Sequence, residues 1–306
     1  MSAPSRPAAD ADARRKALAL GALLLGAVAI GSSAIWVRLS EVGPVATAFW
    51  RTALAVPFLF LWVALERRPA DATARASRRG LIAAGCYFAG DLSFWHGSIL
   101  LTSVATSTLL ANLAPIFVTL AGWLWLKERV SGMFVLGLTI AMLGVGALLG
   151  PDFRGDSQAL LGDAFGIITA LFYAAYLLQI KRLRAGTSTA RIMASSSIVT
   201  ALIVLPVALL LGESIVPGSL RGWSVVLGLA LVSHVAGQSL IAYALAHLPA
   251  SLGSVSLLIQ PIFSAYFAWM ILGESIVALQ IAGGITTLIG IGIAHRAGAL
   301  NTARTP

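Results

Sequence analysis

Residues 115–146 read PIFVTLAGWLWLKERVSGMFVLGLTIAMLGVG, and residues 261–292 read PIFSAYFAWMILGESIVALQIAGGITTLIGIG. A shift of 146 residues aligns the two stretches without a gap. The identical positions include the Pro-Ile-Phe triplets, Trp123 with Trp269, Leu126 with Leu272, Glu128 with Glu274, Gly137 with Gly283, Gly144 with Gly290, and Gly146 with Gly292. Self-similarity at a fixed offset indicates a duplicated unit of structure. The chain is therefore predicted to contain two copies of one module.

The composition places these modules in a membrane. Of the 306 residues, 58% are hydrophobic and only 11% are charged, and the mean hydropathy is +0.89. A soluble domain usually has about 25% charged residues on its surface, so the exterior here must face lipid. The net charge of +9 would suggest nucleic acid in a soluble protein. That reading fails because the basic residues stand at the ends of long apolar runs.

Ten apolar runs are long enough to cross a bilayer. Because a helix rises about 1.5 Å per residue, roughly 20 residues cross a hydrocarbon core of about 30 Å. The runs cover residues 18–37, 45–65, 81–101, 104–126, 133–149, 161–180, 192–211, 223–245, 252–272 and 277–294. Residues 18–150 and 151–296 form the two predicted repeats. Residues 1–17 are expected to be a disordered cytoplasmic segment, and residues 297–306 a cytoplasmic tail.

The positive charges orient these spans. With the N-terminus in the cytoplasm, 17 of the 21 Lys and Arg residues fall on the inner side, whereas only Arg38, Arg154 and Arg221 fall outside. The remaining one, Arg51, lies within a span. Cytoplasmic loops of membrane proteins carry such an excess of Lys and Arg. The bias predicts that both termini are cytoplasmic and that the protein lies in the inner (plasma) membrane.

Five spans per repeat is an odd number, so the two repeats must cross the membrane in opposite senses. The charges agree, since Lys127 and Arg129 flank the inner Glu128, whereas Gly273 and Ser275 flank the outer Glu274. The predicted fold is an all-α integral membrane protein of ten transmembrane helices, built as two inverted five-helix repeats around a central cavity. Inverted repeats are common in secondary transporters. A duplication that only builds a stable bundle is the alternative.

Several motifs resemble the EamA-like transporters of the drug/metabolite transporter superfamily, over roughly residues 18 to 295. The resemblance rests on residues 115–117, 127–129 and Gly137 in the first half, on residues 260–263, 272–274 and Gly283 in the second, and on Phe49-Trp50-Arg51 and Gly162-Asp163. It implies ten helices around a central cavity, and export or exchange of small metabolites such as amino acids. These motifs belong to the scaffold and do not name a substrate.

Two charged residues fall within the predicted spans. Asp91 lies about 15 Å deep, near the midplane, and Arg51 lies nearer the outer edge of its span. Ionisable residues at membrane depth are expensive and mark functional sites by default. Asp91 is a candidate substrate-ammonium partner or protonatable coupling group. A structural pair between Asp91 and Arg51 is the alternative.

Polar residues beside two prolines predict the centre of a binding site. Pro115 and Pro261 are candidate helix breaks near mid-membrane, with Asn112 and Gln260 close by. A proline frees a backbone carbonyl one turn earlier, and such backbone is tolerated where it lines a wet cavity. A simple packing kink is the alternative. Trp95, one helical turn after Asp91, is a candidate wall of the cavity or a packed tryptophan.

The second half contributes His234 and Gln238, four residues apart, as a candidate polar lining or a buried pair. We predict a cavity floored by Asp91, Asn112, His234 and Gln260. Three further residues, Tyr173, Tyr176 and His96, are expected mainly to pack. Cys86 is expected to be a small buried apolar residue. Small residues four apart, at Gly85 and Ala89, Gly146 and Gly150, and Gly162 and Gly166, suggest close helix packing.

Other functional classes find little support in the sequence. It contains no HExxH, GxSxG or P-loop motif and no paired intramembrane carboxylates, which argues against an embedded enzyme or an ATP-driven pump. A passive channel is harder to separate from a carrier, although nothing resembles a selectivity filter. No cofactor, metal or nucleic acid is predicted. The expected partners are the bilayer, a small solute, and a proton or counter-solute.

Overall fold

The computed structural model describes residues 6–66, 77–102, 104–125, 127, 130–149, 157–273 and 275–303, which form helices and short connections only. The first half contains α1 (Arg6–Gly31), α2 (Ser33–Leu39), α3 (Pro44–Ala53), α4 (Ala55–Leu65), α5 (Arg78–Leu101), α6 (Val104–Ala111), α7 (Ala114–Trp125) and α8 (Gly132–Leu149). The second contains α9 (Ser157–Arg184), α10 (Thr189–Leu210), α11 (Leu220–Gly228), a π-helix (Leu229–Gln238), α12 (Ser239–Ala244), α13 (Ala250–Ser256), a 3₁₀ turn (Leu257–Ile259), α14 (Gln260–Leu272) and α15 (Ala278–Ala303).

Eight helical segments of the described chain are long and apolar enough to cross a bilayer. They are Arg14–Leu39, Pro44–Leu65, Thr106–Trp125, Ser157–Arg184, Thr189–Leu210, Leu220–Ala244, Ala250–Leu272 and Ala278–Ala297. Two more helices lie where the third and fifth spans are predicted. Helix α5 has 24 residues, but polar residues such as Asp91 and His96 lower its hydropathy, and Gly132–Leu148 is a shorter apolar helix. The count of ten spans stays a prediction.

The N-terminal segment differs from expectation. Helix α1 begins at Arg6, so residues 6–17 are helical where the polar composition led us to expect disorder. Five of these twelve residues are alanine, and alanine has the highest intrinsic helix propensity. The first apolar span therefore propagates toward the N-terminus.

The fourth and ninth predicted spans break at equivalent positions of the repeat. Helix α6 ends at Ala111 and α7 begins at Ala114, whereas α13 gives way to the 3₁₀ turn that ends at Ile259. A shift of 146 residues takes the first break onto the second, and Pro115 onto Pro261. Each proline lacks the N–H that would continue the helix. The duplicated prolines thus produce duplicated breaks.

The packing of the helices also follows the repeat. Helix α1 packs on the π-helix and α12, and its equivalent α9 packs on α5. Helix α7 packs on α9, and its equivalent α14 packs on α1. Helices α8 and α15, which are equivalent, pack on each other. Exchanging the two halves therefore preserves this pattern of contacts, and the protein has a two-repeat, all-helical architecture.

Glycines allow α8 and α15 to approach closely. A Cβ added at Gly144 would lie 2.7 Å from the carbonyl oxygen of Gly283, and one at Gly290 would lie 2.6 Å from that of Gly137. The spacing that singled out Gly146 missed this contact, because a Cβ there would meet nothing within 4 Å. The contact face of α8 is rotated toward Gly137 and Gly144.

The third predicted span shows a similar effect of helix rotation. Gly85 and Ala89 are buried, as their spacing suggests, and a Cβ at Gly85 would lie 2.8 Å from the carbonyl oxygen of Ser196 in α10. Cys86 was expected to be buried, and that expectation is wrong because the residue is exposed. One position after Gly85, it points away from α10. A thiol tolerates this position because it behaves as a small apolar group.

Candidate functional site

A small cavity of about 20 Å³ lies between the two helix breaks. Its lining residues are Ala111, Asn112, Ala114, Pro115, Tyr173, Leu177, Ser254, Leu257, Leu258 and Gln260. Three pairs in this set, 111 with 257, 112 with 258 and 114 with 260, are equivalent under the 146-residue shift. The cavity therefore lies where the two repeats meet, with two of the predicted polar residues, Asn112 and Gln260, on its wall.

Asn112 closes the end of the broken helix α6. Its Nδ2 donates to the carbonyl oxygen of Thr108 at 2.7 Å, and its backbone N–H donates to the same oxygen at 3.0 Å. The amide keeps its side-chain oxygen and a second N–H hydrogen beside the cavity. Pro115 cannot donate to the carbonyl of Ala111 four residues earlier. The first-half wall of the cavity thus offers hydrogen-bond acceptors.

Gln260 begins helix α14 and faces Asn112 across the repeat. Its Nε2 is buried and makes no well-formed hydrogen bond with a described residue, although the side chain lies near the phenol of Tyr173. An unsatisfied buried donor costs about 1–3 kcal/mol. Such a donor beside a cavity is an arrangement that a ligand acceptor would complete.

The charged pair lies close to this cavity. The Arg51 guanidinium lies 5.7 Å from the ring centroid of Phe88, and its Nε has no hydrogen-bond partner in the described part of the chain. The charges of Arg51 and Asp91 act on each other, and both act on Tyr173 of the cavity wall. Asp91 is half-buried, whereas Arg51 is buried. Neither charged residue lines the cavity itself, but both lie within electrostatic reach of Tyr173 on its wall.

His234 lies in an aromatic cluster instead. Its ring stacks on Phe88 at 5.4 Å, and Phe88 also stacks on Tyr176 at 4.7 Å. The hydroxyl of Ser197 lies 2.6 Å from the Met193 carbonyl and 2.7 Å from His234 Nε2. The hydroxyl has one hydrogen, which it donates to the carbonyl, so the N–H of His234 Nε2 donates to the Ser197 oxygen. His234 therefore has a packed, hydrogen-bonded position.

The other predicted residues divide between packing and lining. Gln238 is buried on the same π-helix as His234, and its Oε1 has no partner among the described residues. Neither of these two residues lines the cavity around Asn112. Trp95 contacts the edge of His96, whose Nδ1 donates to the Leu92 carbonyl at 2.6 Å. Of the four residues predicted to form the floor of the cavity, Asn112 and Gln260 line it, whereas Asp91 and His234 do not.

Two lining residues were undervalued or missed by the sequence reasoning. Tyr173 was expected mainly to pack, yet it lies on the cavity wall. Ser254 was not singled out, although the 146-residue shift aligns it with Thr108, whose carbonyl binds Asn112. Aligning the repeat around the prolines would have found it. Among the described residues, no group of three His, Cys, Asp or Glu could hold a metal ion.

Comparison with protein families finds the same duplication. The EamA-like transporter family matches residues 17–150 and, separately, residues 160–295. These two matches fall on the two halves of the chain. They confirm the resemblance drawn from the sequence motifs.

Curated relatives and solved structures are similar over most of the chain. The pseudopaline exporter of Pseudomonas aeruginosa is 28% identical over 241 residues, covering 79% of this chain and 82% of the relative. An uncharacterized transporter of Archaeoglobus fulgidus is 27% identical over 195 residues, covering 64% and 68%. A crystal structure that is 18% identical covers 92% of this chain and 98% of its own, with a TM-score of 0.75. That last similarity supports the fold alone.

Proposed function

We propose that this chain, which belongs to the EamA-like transporter family, is a secondary transporter that works by alternating access. Family membership makes it a multi-pass membrane transporter of small metabolites. The finer proposal is that it exports or exchanges an amino-acid-like solute across the inner membrane. The observation that carries it is a cavity lined by equivalent residues from both repeats, at the two helix breaks.

The architecture supports alternation between two states. The main contacts between the halves recur when the halves are exchanged, but α6 packs more extensively on α9 than its equivalent α13 does on α1. Exchanging the conformations of the two halves would therefore give a second arrangement with the roles reversed. Inverted repeats give alternating access in this way. Ten spans with both termini in the cytoplasm would place the two repeats in opposite orientations. Reporters fused near Glu128 and near Glu274, both outside the described residues, should then appear on opposite sides of the membrane.

The chemistry of the cavity suits a small polar solute with charged groups. Asn112 and Gln260 offer amide groups to the cavity, and Arg51 and Asp91 lie within electrostatic reach of Tyr173 on its wall. A zwitterion could interact with both of these charges. The named activity of the Pseudomonas aeruginosa relative, an exporter, supports outward movement. Asp91 is the proposed coupling group if a proton or a counter-solute drives transport.

Proteoliposomes containing the purified protein test the proposal. Uptake and counterflow are measured for a panel of amino acids, with and without a proton gradient. Gln260→Leu, which removes the unpaired donor, should lower transport by tenfold or more. Thr139→Val is the matched control, because Thr139 is exposed on α8 and bonds only to its own helix at Val135. Equal transport by both variants would count against the cavity as the binding site.

Counterflow also separates the carrier from its alternatives. A carrier exchanges labelled for unlabelled solute and saturates, whereas a passive channel shows flux that does not saturate. An embedded enzyme would convert the solute, which mass spectrometry of the recovered solute would detect. The carrier is refuted if flux across the panel is linear with concentration and no counterflow occurs.

A further inference from the structure

Two glutamates at one end of the helix bundle bind helix N-termini in the opposite repeat. Glu213, just after α10, accepts hydrogen bonds from the backbone N–H groups of Val45 at 3.2 Å and Ala46 at 2.7 Å, in the first turn of α3. The first N–H groups of a helix have no partner within the helix, and the helix dipole favours a negative charge there. Glu213 of the second repeat therefore caps a helix of the first.

Glu41 makes the reverse connection from the first repeat to the second. It lies between α2 and α3, and its carboxylate accepts from the backbone N–H groups of Gly218 and Ser219, both at 3.1 Å, and from the Ser219 hydroxyl. Ser219 is the N-cap of α11. Each repeat thus supplies one carboxylate that binds backbone N–H groups at the start of a helix in the other repeat.

Glycines make room for both carboxylates. A Cβ at Gly43 would lie 2.6 Å from the Cβ of Glu213, and one at Gly222 would lie 2.6 Å from the carboxyl carbon of Glu41. Both separations are too short for non-bonded carbons. The two glutamates occupy space that any larger residue at these positions would take.

Further contacts tie the same end together. The Gly43 N–H donates to the Ser214 carbonyl at 3.2 Å, and Trp50 Nε1 donates to the Ile215 carbonyl at 2.6 Å. Trp50 also contacts Trp223 of α11 edge-on, with ring centroids 4.8 Å apart. Since Trp50 precedes Arg51 on α3, the helix that Glu213 caps also carries one of the two intramembrane charges.

The opposite end of the repeat lacks equivalent carboxylates in the sequence. A shift of 146 residues takes Glu41 to Thr187 and Glu213 back to Arg67. Arg67 lies outside the described residues. At that end, Ser188 caps α10 within its own repeat by accepting from the Arg191 N–H. Glu66, the neighbour of Arg67, is the C-cap of α4 and acts on the Arg184 side chain at the end of α9. The two ends of the protein therefore differ in that Glu41 and Glu213 bind backbone N–H groups.

We propose that Glu41 and Glu213 form a reciprocal latch that closes one end of the transport pathway and must open for solute to pass. Opening would separate α3 from the connection after α10, and α11 from the connection before α3. The inference rests on the proposed alternating-access function. A cysteine-labelling experiment tests the latch without needing a substrate.

The labelling experiment uses a reporter cysteine in the cavity. Ser254, which lines the cavity, is replaced by Cys in a Cys86→Ser background, and a membrane-impermeant maleimide is added from the latch side of sealed, oriented vesicles. Glu41→Ala/Glu213→Ala should raise the labelling rate tenfold or more. Ser188→Ala, which removes a cap within one repeat, should leave it unchanged. Equal rates for the parent and the double variant would overturn the proposal.

A disulfide tests the same latch without removing Glu41. In a Cys86→Ser background, Gly43→Cys/Glu213→Cys places two Cβ atoms about 1 Å closer than a disulfide prefers, so a small shift allows the bond. Oxidation should abolish counterflow, and reduction should restore it. A cross-linked protein that transports at the reduced rate, or a pair that never cross-links, refutes the latch. A reduced protein that labels normally but transports no solute refutes the proposed function instead.

Discussion

Replacing Gly144 by alanine tests the close approach of α8 and α15. The added Cβ would lie 2.7 Å from the Gly283 carbonyl oxygen, against an ordinary contact of 3.4–4 Å. The helices would have to separate by roughly 1 Å, and overpacking of this kind costs about 1–3 kcal/mol. The higher helix propensity of alanine offsets about 0.5–1 kcal/mol of this loss in stability. Gly144→Ala should therefore destabilise the protein by about 1–2 kcal/mol.

Gly146 supplies the control within the same helix. A Cβ there meets nothing within 4 Å, so Gly146→Ala should keep only the propensity gain and leave the protein unchanged or slightly more stable. The equivalent positions in α15, Gly290 and Gly292, should show the same difference. A Cβ at Gly290 would lie 2.6 Å from the Gly137 oxygen, whereas a Cβ at Gly292 would meet nothing within 4 Å.

Thermal unfolding in detergent measures this difference. Apparent melting temperatures and the monodisperse fraction after heating would be compared for the four single variants and the parent. We expect Gly144→Ala and Gly290→Ala to melt several degrees lower and their controls to match the parent. If Gly144→Ala and Gly146→Ala melt at the same temperature, the two helices are not in contact as described.

Three further predictions concern the site and the latch. Asp91→Asn should abolish transport or its pH dependence while membrane insertion stays intact. The substitution removes the carboxylate that acts on Arg51 among the described residues. Full, pH-responsive counterflow would contradict the coupling role. The hydrogen bonds from the Ser219 hydroxyl and from the Ser219 and Gly218 N–H groups, with the nearby Arg221, hold the pKa of Glu41 below its ordinary value of 4.5. A carboxylate whose folded pKa is depressed stabilises the folded contact above its ordinary pKa and loses that effect as the pH falls through the lowered value. Because maleimide reacts with the thiolate, the Ser254→Cys labelling rate is divided by that of the double glutamate variant with the same reporter. This ratio should stay constant from about pH 8 to about pH 5, and a rise within that range would contradict the bonded carboxylate. Trp50→Phe should raise latch-side labelling less than the double glutamate variant does. It removes one hydrogen bond, to the Ile215 carbonyl, and keeps an aromatic contact with Trp223. Unchanged labelling would show that Trp50 does not contribute to the latch.

The sequence alone was enough for the features that depend on local composition and on the repeat. Hydropathy located the helical segments, because lipid requires each span to be apolar along its length. The 146-residue shift located both modules and both helix breaks, since Pro115 and Pro261 act on their own backbone whatever surrounds them. The same reasoning placed Asn112 and Gln260 beside the breaks, where the structure has its cavity.

The tertiary structure decided which side of each helix meets which neighbour. The rotation of a nearly uniform apolar helix about its axis leaves little trace in its sequence, so Cys86, Gly146 and His234 were assigned to the wrong face or left open. Tyr173 lines the cavity because α9 packs against both α5 and α7. The bonds of Glu41 and Glu213 join residues more than 160 positions apart. Only the docking of the two repeats brings those carboxylates to the helix starts that they cap.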